Sequence, residues 1–155
     1  MLGAILLPAL AVHPVFAGNN DSPGTAVAEI TKWRKEVNEA NELWLKQDTD
    51  KGISKFENLL RHTELVFGKN SPEVGVVVCP IGFLYCKRGD FERGLPYLER
   101  SLKLVSQLPD NVKNLQTKAE LYWGLGLSYS ARFELDRAIP AFNESLKTPR
   151  EIGGC

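Results

Sequence analysis

The side chains of this 155-residue chain that could transfer protons, attack as nucleophiles or ligate a metal are two histidines, three cysteines and nineteen acids. A zinc site built from histidine and cysteine would use nearly all of both types. No Gly-rich phosphate loop, Gly-x-Ser-x-Gly, His-Glu-x-x-His or Cys-x-x-Cys occurs. Of His13 and His62, only His62 falls on a predicted helix; it could act as a general base but reads as an ordinary surface histidine. Asp48, Asp50, Glu57, Asp90, Glu92, Glu134 and Asp136 cluster near predicted helix starts. Carboxylates there complement the positive end of the helix dipole, so they read as caps. Cys79 and Cys86, seven apart on one helix, lie about 10 Å apart at 1.5 Å rise per residue. A disulfide spans less than about 7 Å between α-carbons, so they do not pair. Cys155, near the end of the sequence, could cross-link to another chain in an oxidising compartment. The expectation is therefore no enzyme: no catalytic residue, no metal site and no cofactor.

Composition narrows the class further. The formal net charge is zero, with 25% charged residues of balanced sign. Such a chain has no broad positive field for phosphate backbones, which excludes nucleic acid as the main ligand. With 43% hydrophobic residues it suits one ordinary domain or a short array of repeats. Residues 1–17, MLGAILLPALAVHPVFA, contain no charged side chain. Val15 and Ala17 suit a signal-peptidase site, so the segment reads as an export signal cleaved after Ala17. It lacks the usual leading Lys or Arg, and Cys79 and Cys86 would be unusual unpaired thiols in an exported protein. The alternatives are an uncleaved anchor, a truncated start, or an apolar segment packed on the domain. The run is short of the roughly 20 residues of a membrane span, and Pro8 and Pro14 break a helix. Localisation is thus expected to be secreted or periplasmic. It becomes membrane-anchored if residues 1–17 stay attached, and cytoplasmic if the N-terminus is truncated. Residues 18–25 read as a linker.

The elements that must position any site are helices. No alternating run of β-branched residues is bounded by turns, and Ser71-Pro72 marks a helix start ahead of the apolar run from Val74. Predicted helices cover about 26–47, 50–66, 72–88, from after Asp90 to about 107, 111–131 and 135–147. Residues 75–108 repeat at 119–152. Gly82 meets Gly126, Tyr85 meets Tyr129, Arg88 meets Arg132, Arg93 meets Arg137, Pro96 meets Pro140 and Leu98 meets Phe142. Proline inside a helix costs about 3 kcal/mol, so its return at one register marks a duplication. A fainter copy lies about 42 residues upstream, through Ala40, Leu43, Gly52, Phe56 and Leu60. Gly82 and Gly126 each cost about 1 kcal/mol within a helix, which close helix–helix approach would offset. Periods of this size with two helices per unit indicate a helical solenoid, in which each hairpin needs its neighbour to bury its apolar face.

The spacing Ile81-Gly82, Tyr85, Gly94, Leu98, Ser101 and again Leu125-Gly126, Tyr129, Ala138, Phe142, Ser145 resembles the tetratricopeptide repeat. The longer period and the Gly68-Lys-Asn-Ser-Pro-Glu-Val74 linker resemble its extended, kinesin-light-chain-like subtype. The resemblance covers roughly residues 33–150. It implies an all-α fold, a right-handed α-α superhelix of about three helical hairpins at 26–68, 72–108 and 111–148, followed by a tail at 149–155. The family's turn glycine is present as Gly89, but Phe133 takes its place in the last copy, so a distorted turn or a degenerate copy is expected there. The resemblance also implies a concave groove lined by the first helix of each pair. Its positions correspond here to Arg34, Val37, Asn41, Trp44 and Leu45, then Val76, Cys79, Phe83, Cys86 and Lys87, then Glu120, Trp123, Leu127, Ser130 and Ala131. Trp44, Phe83 and Trp123 would stack along one surface, or else belong to the core. The groove lacks the Lys and Asn clamp of the family's chaperone-binding members, so an apolar helix or extended peptide is the expected ligand.

The function expected is a scaffold that presents this groove to a protein or peptide partner. Its rivals are a regulatory or sensor part of a larger enzyme or signalling protein, and a homodimer formed through a last repeat that no capping helix covers. A membrane enters as a partner only if residues 1–17 remain attached.

Overall fold

The computed structural model describes residues 23–46 and 48–147. The expected export signal at 1–17, residues 18–22 of the expected linker 18–25, and the tail with Cys155 lie outside the described residues; residues 23–25 of that linker belong instead to the first turn of α1. Among those described there are six helices and no strand. In chain order they are α1 (Pro23–Leu45), α2 (Thr49–Phe67), α3 (Pro72–Lys87), α4 (Phe91–Val105), α5 (Val112–Ala131) and α6 (Leu135–Lys147). Asp48, Ser71, Asp90 and Asn111 cap α2 to α5, each side chain accepting from the backbone N–H three residues on. Gly68 closes α2 at φ +85°, its N–H donating to the Glu64 carbonyl at 3.0 Å.

Each helix packs mainly on its chain neighbours, with a lighter contact between α3 and α5. One core cluster joins α1, α2 and α3 through Trp33, Ala40, Phe56, Leu59, Ile81 and Leu84. A second joins α3 to α6 through Phe83, Leu98, Leu121, Leu125 and Ala138. A third seals α3 on α4 with Val74, Val78 and Leu104. The middle helix is enclosed: every residue from Glu73 to Tyr85 is buried. Its sequence explains this. From Val74 to Cys86 it has no charged side chain, and a helix that is apolar all round has no face to offer water.

The duplicated glycines sit in matching seams. A Cβ on Gly82 would lie 2.7 Å from Leu98, and one on Gly126 2.7 Å from Phe142, the equivalent residue of the next hairpin. The duplicated tyrosines also share surroundings. Tyr85 donates to Glu57 Oε1 at 2.8 Å, and Tyr129 donates to Glu99 Oε1 at 2.6 Å. In each case the acid sits on the second helix of the preceding hairpin. A guanidinium covers each ring, but from positions that do not correspond: Arg88 at 5.0 Å from the Tyr85 centroid and Arg137 at 4.1 Å from that of Tyr129. Among the described residues, Tyr85 alone of the two stacks on a second ring, Tyr97. Arg137 also donates to the Tyr129 hydroxyl (2.7 Å) and to Glu99 (3.1 Å). Burial and the Glu99 carboxylate hold the Tyr129 phenol in its neutral, donating form, pushed up to about 12. Pro96 and Pro140 both point outward, so the carbonyl that each leaves without a helical partner can be hydrated.

The turn at Phe133 corrects an expectation. It is not distorted. Asp90 N–H donates to Tyr85 O and Glu134 N–H to Tyr129 O, both at 2.9 Å, so the two turns close alike. Phe133 takes the left-handed conformation of Gly89, with φ 62° against 83°. It is the only non-glycine among the described residues with positive φ, and it is 89% exposed.

Candidate functional site

The expected groove positions separate into three groups. Val76 and Phe83 are buried, at 7% and 5% exposure, as are Cys79 and Val37. Of the two expectations for Trp44, Phe83 and Trp123, an open stripe or core, Phe83 follows the second: it is core, and no continuous stripe runs across α3. Two neighbours close over it. Gly124 of α5 presses onto its ring, where a Cβ would meet Phe83 Cε1 at 2.7 Å. Trp44 of α1 is half-buried and packs against both the first and the second core cluster, spanning α3. Gly124 has no counterpart in the middle hairpin, where Pro80 takes its place, and that unmatched glycine is the sequence signal for the close approach.

What remains open lies mostly on α5. At 3.6 residues per turn, Glu120, Trp123 and Leu127 share one side of the helix. All three are exposed, Trp123 by 39% and Leu127 by 37%. Ser130 and Ala131 extend the strip. Lys87 is exposed at the end of α3, and Arg34 and Leu45 are exposed on α1. Although the Glu120 side chain is exposed overall, its carboxyl end loses enough water to push its pKa upward. The same carboxylate and, more strongly, burial push the Cys79 thiol up to about 12, which suppresses its thiolate. Cys86 is also raised, chiefly by burial, and its Sγ lies 3.3 Å from Ser128 Oγ. Both thiols are unpaired.

Most of the residues first weighed for chemistry have structural partners. His62 Nδ1 lies 2.6 Å from Glu36 and Nε2 lies 3.1 Å from Glu29, so its ring ties α2 to α1. Beside it Trp33 Nε1 donates to Thr63 Oγ1 at 2.8 Å, and Thr63 donates on to the Leu59 carbonyl. Asp48 and Asp90 are caps. Glu57 and Glu99 receive the tyrosines. Among the described residues no three His, Cys, Asp or Glu side chains gather where they could hold a metal ion. No described helix is long and apolar enough to cross a membrane.

Sequence reasoning missed a concavity of about 480 Å³ between α4, α5 and α6. Leu102, Tyr122, Leu125 and Ala141 line it with Glu99, Lys103, Arg137 and Glu144, so it carries charges of both signs. No protein-family model matches the sequence, and no curated protein matches it.

Proposed function

We propose that the chain is a non-enzymatic, tetratricopeptide-like scaffold, a right-handed superhelix of three hairpins that presents one face of α5 to a protein or peptide. The observation that carries this reading is the exposed pair Trp123 and Leu127, one turn apart on a helix whose other sides are packed. A folded chain leaves a large ring half in water at the cost of its burial energy, and aromatic residues in such positions supply most of the affinity of many interfaces. The ring is held by a rigid helix, so little ordering entropy is lost on binding. Glu120 and Lys87 supply opposite charges that orient the ligand, while apolar contact supplies affinity.

Selection from a displayed library of random peptides tests the proposal. Selected peptides should carry apolar or aromatic centres and perturb tryptophan fluorescence. Trp123→Ala should weaken them about thirtyfold, a loss of about 2 kcal/mol, with helical circular dichroism unchanged. Collapse of the helical signal in Trp123→Ala would assign the ring to the core. Failure to enrich any peptide above the bare support would end the proposal.

A further inference from the structure

The outer side of α6 carries an apolar strip that none of the described residues covers. Leu135, Ile139 and Leu146 are 56%, 59% and 64% exposed. At 3.6 residues per turn they lie within about 40° of one another. Ala138 and Ala141, the buried side of α6, point elsewhere. Arg137, Pro140 and Glu144 line the concavity on the far side. The strip is thus separate from both the α5 face and that concavity.

Charges beside the strip say what fits it. Asp136 stands in the first turn of α6 and Lys147 in the last. They fall within about 20° of each other around the helix, on one flank of the strip, and about 16 Å apart along it. A two-fold axis perpendicular to two facing helices keeps each flank on its own side and reverses the helix direction. It therefore sets Asp136 against Lys147 of the second copy, and Lys147 against its Asp136. The same operation brings Leu135 to Leu146 and lays the two Ile139 side chains near the centre. A parallel pair would place like charges at the same level and on opposite flanks, so it gains neither bridge. Antiparallel helix dipoles favour the same arrangement. Lys147 pairs with Glu144 within one chain, and both side chains are solvent-exposed enough to exchange partners.

We infer that α6 is a self-association surface, on which a second copy of this chain docks antiparallel through Leu135, Ile139 and Leu146, registered by Asp136 and Lys147. A seam one helix wide lies at the small end of specific interfaces, below about 1,200 Å². The dimer is therefore weak and concentration-dependent. The inference does not depend on what the α5 face binds.

Sedimentation equilibrium of the full chain in reductant, over a wide range of concentration, tests it. The wild type should pass from monomer to dimer. Ile139→Glu, at an exposed position, should raise the dimer dissociation constant at least about tenfold with its circular dichroism unchanged. Asp136→Lys should weaken the dimer about tenfold through its two symmetric bridges, and Asp136→Lys with Lys147→Asp should return it to within about twofold of wild type. A wild-type monomer at every concentration overturns the inference and leaves the strip to a different polypeptide. A dimer indifferent to Ile139→Glu puts the contact elsewhere on the molecule. A double variant no tighter than Asp136→Lys overturns the antiparallel register.

Discussion

Phe133 shows how one residue can break a local rule and leave the fold unchanged. The turn between α5 and α6 needs a left-handed residue, and the equivalent turn between α3 and α4 uses Gly89. A side chain in that conformation meets its own backbone, at a cost of about 1–2 kcal/mol. The ring of Phe133 regains little of this by burial, since it is 89% exposed. Phe133→Gly should therefore stabilise the chain by about 1 kcal/mol and raise the thermal midpoint by about 4 °C, read by calorimetry. An unchanged or lower midpoint would mean that the exposed ring stabilises the turn in a way its geometry hides. The departure from glycine was legible in the sequence. Its consequence was not, because the hydrogen bonds of the turn are strong enough to impose the conformation on an unsuited residue.

At the scale of the helix, close approach decides where substitution is tolerated. Gly94 of α4 lies against α3, and a Cβ there would meet the Gly82 carbonyl oxygen at 2.9 Å and Cys86 Sγ at 2.7 Å. Backbone cannot swing aside as a side-chain tip can. Gly94→Ala should lose about 2 kcal/mol by forcing the helices apart, less the about 1 kcal/mol gained in helix propensity. A chemical denaturation curve shifted to lower midpoint is the expected result. A shift upward would mean that the α3–α4 seam is loose. Gly126→Ala should cost less, because its contact is with the half-buried Phe142 ring. The helices themselves were largely legible from caps and periodicity: α6 spans 135–147 as expected, and α3 starts at Pro72 as its Ser-Pro signal required. The open groove was not. Repeat spacing tells which side of α3 faces inward along the array, but not how far α1 and α5 close over it. The charge-free run from Val74 to Cys86 and the unmatched Gly124 carried that information instead.

For the molecule as a whole, enclosure of α3 makes it the part that opens last. Its amides can exchange only when the contacts with α2 and α4 both yield, whereas α1 and α6 are each held mainly from one side. Hydrogen exchange should be slowest at Val77 to Leu84 and fastest at Val27 to Lys32 and in the last turn of α6. Uniform protection across all six helices would mean that the array unfolds as one block. The exposed Trp123 and Leu127 belong to a helix held by α3, α4 and α6, so their positions are fixed by packing on several sides. The neighbour-by-neighbour packing has one more consequence, for how the chain is made. Each helix rests chiefly on its neighbours in sequence, so native contacts are short in sequence and the search for them is brief. The exception is α3: its apolar surface is covered only once α4 and, over Phe83, Gly124 of α5 have been made, so it is the segment that must wait at the ribosome for partners synthesised after it.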